Sequence, residues 1–123
     1  MACYLEHTAL PVRDIARHIE FFRDVLGMTV RQIDGDPDRP EQVWFWGGIQ
    51  LKSAPDFAGP EGRLAHLGIM TDDLEETLRR VYARGAEELP QGENWVKLPD
   101  GLEIEFIQAK NDAVDKVLRI DPW

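Results

Sequence analysis

With 123 residues, the chain has room for one compact domain with a real core and too little for two independent ones. It is 43% hydrophobic and 30% charged, the balance of a soluble globular protein, and its apolar runs are far shorter than a bilayer span, so no membrane partner is expected. A net charge of −9 with no basic cluster argues against nucleic acid, whose phosphates most of this surface would repel.

The opening Met-Ala-Cys-Tyr-Leu-Glu-His has no basic stretch leading into an apolar one, so no signal peptide is expected. The single cysteine, Cys3, has no second cysteine to pair with, which fits a reducing cytoplasm. Around His7 the pattern is that of a strand. Thr8, Leu10 and Val12 fall on one face, and His7 and Ala9 on the other. Asp14 then stands where an N-cap is needed. Ile15, Ile19, Phe22 and Leu26 follow at helical spacings of four, three and four, and Gly27 marks the end.

Residues 28–33 are a weak strand candidate. Residues 43–46, Gly47-Gly48 and residues 49–53 read as a hairpin. A two-residue turn there sets Phe45 opposite Gln50 and Val43 opposite Lys52. Glu41 and Phe45 would then share the face of Gln50. Residues 55–62, rich in proline and glycine, form a linker.

The second half repeats this order. His66-Leu-Gly-Ile-Met-Thr-Asp-Asp73 echoes His7-Thr-Ala-Leu-Pro-Val-Arg-Asp14. The two histidines stand 59 positions apart, as do the two aspartates. A helix capped by Asp73 carries Leu74, Leu78 and Val81 as its apolar stripe and ends at Gly85. Glu75–Arg79 and Glu76–Arg80 are expected ion pairs on its wet side. Residues 87–89 are a weak strand. Residues 94–98, the turn Pro99-Asp100-Gly101 and residues 102–108 form a second hairpin. Residues 111–119 read as a short helix, with Trp123 free to pack on the body or a partner.

The fold expected is therefore α+β: two βαβββ modules, about 4–54 and 63–109, forming a curved mixed sheet around a cleft with the helices outside, plus a tail over 111–123. All of residues 1–123 form one domain. His7, Gln50, His66 and Glu105 each lie opposite the residues that would pack against a helix, and each takes the same place in its half. A pseudo-twofold would bring the four into one cleft. Two imidazoles and a carboxylate suit a divalent first-row cation, with an amide oxygen as a fourth ligand.

These residues give a resemblance. His7-Thr-Ala-Leu-Pro-Val-Arg-Asp14 with Phe21-Phe22-Arg-Asp-Val-Leu-Gly27-Met28 is similar to the opening module of the vicinal oxygen chelate superfamily, which includes glyoxalase I, methylmalonyl-CoA epimerase, extradiol dioxygenases and the bleomycin and fosfomycin resistance proteins. Ala65-His66-Leu-Gly-Ile resembles the start of its second module, and Pro99-Asp100-Gly101-Leu-Glu-Ile-Glu105-Phe its closing hairpin. The resemblance spans about residues 5–108. It implies a divalent metal ion (Ni, Zn, Co, Mn or Fe) on His7, Gln50, His66 and Glu105, with a small-molecule substrate and a homodimer. Gln50 stands where small bacterial glyoxalases usually carry glutamate and where the epimerase carries glutamine.

The resemblance implies a glyoxalase- or epimerase-like enzyme that chelates adjacent substrate oxygens and moves a proton next to a carbonyl. The base is Glu105, as the metal-bound glutamate of glyoxalase I implies, or Glu41, whose Pro40-Glu41-Gln42 setting resembles the epimerase's. Two alternatives stay open. One is an Fe(II) extradiol-type dioxygenase using only His7, His66 and Glu105. The other is a non-catalytic binding protein of the resistance type. His18, on the first helix, is expected to be structural or exposed. Lys52 is a rim residue that an anionic substrate would meet.

Overall fold

A computed structural model describes residues 1–26, 28–59, 65–99 and 101–121. The elements run β1 (Cys3–Val12), α1 (Ile15–Glu20), a π-helical turn (Phe21–Val25), β2 (Val30–Asp36), β3 (Arg39–Phe45), β4 (Ile49–Ser53), β5 (His66–Thr71), α2 (Leu74–Ala83), β6 (Glu87–Leu89), β7 (Gly92–Lys97), β8 (Glu103–Gln108) and α3 (Ala113–Leu118). The strands pair both parallel and antiparallel within each unit, and the class is α+β as the sequence predicts. The chain divides into two compact units, one of His7–Ala65 and one of Met1–Glu6 with His66–Trp123. No helix among the described residues is long and apolar enough to cross a membrane.

In the His7–Ala65 unit the strands neighbour one another in the order β2-β3-β4-β1. The connections β2-β3 and β3-β4 are antiparallel, and β4 pairs with β1 in parallel. The Asp14 side chain accepts from the Arg17 N–H at 3.2 Å and so starts α1. Ile15 and Ile19 then bury against Val12, Val43, Phe45 and Leu51, with Phe22 packed on Phe45 at 5.8 Å between ring centres.

Two expectations fail in this unit, each for a local reason. Leu26 was expected to continue the apolar stripe but is exposed. The chain widens into a π-helical turn after Glu20, with the Leu26 N–H reaching the Phe21 carbonyl at 3.1 Å. An i→i+5 turn holds more residues than an α-turn, so positions beyond it rotate off the stripe. Gly27, expected to end the helix, lies outside the described residues.

The hairpin register also differs. Trp44 faces Gln50, Val43 faces Leu51 and Gln42 faces Lys52. The loop is thus Trp46-Gly47-Gly48, one residue longer than expected. Both glycines have positive φ, and the Gly48 carbonyl accepts from the Thr8 N–H at 2.6 Å, so Gly48 is committed to β1. Phe45 consequently points into the core and not to the face of Gln50.

In the other unit the order is β5-β8-β7-β6, with β5 and β8 parallel and the remaining pairs antiparallel. The Asp73 side chain accepts from the Glu76 N–H at 3.1 Å and caps α2. The core is Leu78, Val96, Ile104 and Phe106, flanked by Leu67, Ile69, Leu74 and Val81. Gly85 follows α2 with φ of +89°, the left-handed stop that the sequence predicts. On the wet side Glu76 takes both Arg79, at 2.5 Å, and Arg80, at 2.8 Å, so Arg79 pairs three residues back and not with Glu75.

The first residues of the chain belong to this unit. The Ala2 N–H donates to Asp72 Oδ1 at 2.8 Å, and the Asp72 N–H donates to the Ala2 carbonyl at 3.1 Å. Of the turn Pro99-Asp100-Gly101, Asp100 lies outside the described residues, as do linker residues 60–64 and the terminal Trp123.

Candidate metal site

Each half places two candidate ligands on one sheet face. In β1–β4, Ala9 stands opposite Gln50. His7 shares the face of Ala9, so it lies diagonally from Gln50 on the side away from the core. In β5–β8, Gly68 stands opposite Glu105, and His66 shares the face of Gly68. His7, Gln50 and His66 are 4%, 3% and 5% exposed, deep for polar side chains. Glu105 is more open, with 24% of its side chain accessible.

The distances agree with the face assignments. His66 Nε2 lies 3.8 Å from Glu105 Oε2. Trp95 faces Glu105 across β7–β8, and its ring meets the His66 imidazole edge-on, 4.7 Å between centres at 67°.

Gln50 is in an unusual state. Its Nε2 donates to Gln42 Oε1 at 2.5 Å. Its Oε1 is buried and has no hydrogen-bond partner among the described residues. A buried acceptor left unmet costs free energy of about 1–3 kcal/mol, so such an atom calls for a partner that the described residues do not supply. An imidazole and an unmet amide oxygen on one face in the first unit, and an imidazole beside a carboxylate in the second, are donor types that suit a divalent borderline cation.

Glu41 is placed differently from the expectation. Asp34 pairs with Gln42 and Gly35 with Pro40, which leaves Glu41 as the extra residue of a β-bulge. It is exposed, and its Cγ lies 3.0 Å from where a Cβ on Gly35 would be. The residue that shares the face of Gln50 is Gln42. His18 sits half-buried on α1, its Nδ1 2.9 Å from the Asp14 carbonyl, in the structural role expected. Lys52 is half-buried and shares the face of Gln50, one pleat further along β4.

Three residues escaped the sequence reading: Gln42, Trp44 and Trp95. Trp95 had a usable signal. A turn closed between Leu98 and Leu102, as the 2.8 Å bond from the Leu98 N–H to the Leu102 carbonyl shows, counts back to Trp95 opposite Glu105.

Residues 7–107 match the glyoxalase-like domain family. The chain belongs to that family. It is 31% identical over 124 residues to the lactoylglutathione lyase of Haemophilus influenzae, covering 85% of this chain and 92% of the lyase. The fold is also that of methylmalonyl-CoA epimerase from Mycobacterium tuberculosis, with a TM-score of 0.61, 22% identity, and 90% and 91% of the two chains covered. An extradiol ring-cleaving dioxygenase from B. fuscum shares the fold at a TM-score of 0.60 and 19% identity, over 87% of this chain and 34% of the dioxygenase. These likenesses set the glyoxalase-like chain within the vicinal oxygen chelate superfamily.

Proposed function

We propose that this glyoxalase-like protein is a divalent-metal-dependent lyase or isomerase that shifts a proton next to a carbonyl in a small molecule bearing two adjacent oxygens. The observation that carries this reading is the His66–Glu105 pair, 3.8 Å apart on one sheet face. His7, His66 and Glu105 would hold the ion, with Gln50 Oε1 as the fourth protein ligand. A bound divalent cation polarises a carbonyl and acidifies the neighbouring C–H. The similarity to a lactoylglutathione lyase supports the reaction class.

Within that reading Glu105 is the base. Its carboxylate is partly open, and an oxygen not turned toward His66 can accept the proton and return it. Glu41, exposed on its bulge, is the weaker candidate. His7 and His66, both buried, fix the position of the reacting carbonyl and exclude water from one side of it. The reading includes a cytoplasmic homodimer, which sedimentation at micromolar concentration checks.

The test is metal content followed by proton exchange. Protein purified without a histidine tag is expected to hold one divalent ion per chain, and His66→Ala to hold none. The loaded protein is expected to wash solvent deuterium into 2-hydroxyacyl or 2-carboxyacyl thioesters. Absence of stoichiometric metal, with His66→Ala indistinguishable from wild type, would end this reading. A second reading, an Fe(II) ring-cleaving oxygenase, would use the two histidines and one carboxylate that the sequence predicts, without Gln50. It predicts oxygen uptake with a catechol and full tolerance of Gln50→Ala.

A further inference from the structure

A glutamine is an ambiguous ligand. Its amide presents an oxygen, which can bind a cation, or an NH2 group, which cannot, and a half-turn about the last side-chain bond exchanges them. A site that relies on Gln50 must therefore fix which end faces inward. Nothing in the backbone does this, because the strand sets only the direction of the Cα–Cβ bond.

The side chain that decides is on β3. Gln42 lies opposite Lys52, one pleat along from the Trp44–Gln50 pair and on the same face. Its Oε1 accepts from Gln50 Nε2 at 2.5 Å. With the NH2 end held, Gln50 Oε1 is left buried and free of protein donors among the described residues. With Gln42 held in this orientation, turning the Gln50 amide over would set two oxygens against each other and leave buried N–H groups unmet, at a cost in free energy.

We infer that Gln42 is a positioning residue that locks the Gln50 amide with its oxygen presented for a cation. The inference rests on the metal-site reading above. It also adds a residue that contacts no ion itself. Outer partners of this kind typically contribute about 10- to 100-fold to metal affinity.

The test compares three full-length variants. Gln42→Met and Gln42→Leu remove the acceptor at similar size, and Gln42→Glu keeps it. Affinity is measured by calorimetric titration of apo-protein with Co2+, coordination by the visible spectrum of the Co2+ form, and the amide itself by NMR of the Gln50 side-chain NH2 in apo-protein. Gln42→Met and Gln42→Leu are expected to bind Co2+ about 10- to 100-fold more weakly with an altered spectrum, and to lose the downfield-shifted Gln50 NH2 signal. Gln42→Glu is expected to keep that signal and to bind at least as tightly as wild type. The inference is overturned if the apolar variants bind like wild type with an unchanged spectrum, or if Gln42→Glu is as weak as they are. Wild type that binds no Co2+ at all overturns the metal reading instead, a result distinct from both. Two apolar variants keep the comparison available if one of them does not fold.

Discussion

The two halves of the chain repeat one plan, yet they prepare their ligands differently. In each, a tryptophan faces the last ligand across an antiparallel pair: Trp44 opposite Gln50, and Trp95 opposite Glu105. In the second half the candidate ligand is a carboxylate that approaches His66 to 3.8 Å, and Trp95 packs on that histidine. In the first half the candidate ligand is a neutral amide, hydrogen-bonded to a second amide, Gln42, that we infer orients it. The lesson is one of symmetry. A carboxylate can offer either oxygen and needs no sorting, whereas an amide has one useful end. Exchanging a charged ligand for a neutral one lowers the attraction for a cation and adds a requirement for orientation.

The largest expected effect tests the register on which this comparison stands. Phe45→Ala empties a buried site among Ile19, Val43 and Leu51 and is expected to destabilise the fold by about 3–5 kcal/mol. Phe106→Ala, its counterpart in the other core, is expected to cost a similar amount. Chemical unfolding gives both numbers. A Phe45→Ala protein with unaltered stability and altered Co2+ binding would place Phe45 on the ligand face, and the halves would no longer match.

Loss of His66 comes next. His66→Ala removes a buried ligand and is expected to weaken Co2+ binding by more than the roughly 100-fold that an outer partner can contribute. Gln50→Ala is expected to cost less, because a neutral amide oxygen is the weakest of the four donors. Gln50→Glu is expected to tighten binding, since it gives the first half the same charged ligand as the second. Calorimetry orders the three, and equal losses for His66→Ala and Gln50→Ala would remove the distinction between the halves.

Smaller again is the brace. Trp95→Ala frees the His66 ring and is expected to lower Co2+ affinity about tenfold, while Trp95→Phe keeps an aromatic edge and most of the affinity. If both variants match wild type, Trp95 is a wall of the site and not a support for its ligand.

Most of this arrangement could be read from sequence, and the exceptions share a cause. Both N-caps, the stop at Gly85 and the faces of His7, His66 and Glu105 follow from periodicity and local chemistry, because each depends on a few neighbouring residues. The placements of Phe45, Glu41 and Gln42 depend on register, which a one-residue change in a loop reverses for every side chain beyond it. The reversal had a trace in the sequence. Apolar Val43 and Phe45 suit apolar Ile49 and Leu51 on one face, and that match requires the three-residue loop. The bulge at Glu41 and the π-turn after Glu20 left no such trace, since each inserts one residue into a pattern otherwise intact. The Gln42–Gln50 bond was invisible for the same reason: it joins two residues whose shared face is known only once the register is.

The helices offer the last and smallest contrast between the halves. The first turn of α1 carries no acidic residue, whereas that of α2 carries Glu75 and Glu76. Hydrogen bonds from Arg79 and Arg80 hold the Glu76 carboxyl down to about 2, against an ordinary 4.5. The unfolded chain therefore takes up this proton more readily than the folded one. The contribution of Glu76 is complete above about pH 4.5 and is lost as the pH falls toward 2. Because the group lies on the wet side of α2, the effect is small and salt reduces it. Glu76→Gln is expected to be slightly less stable than wild type at pH 7, with the gap closing through that acid window and shrinking in 1 M salt. Urea unfolding at a series of pH values measures it. A gap that stays constant down to pH 2 would show that the arginines stabilise α2 by packing and not by charge, and the contrast between the two helices would then lie in side-chain length alone.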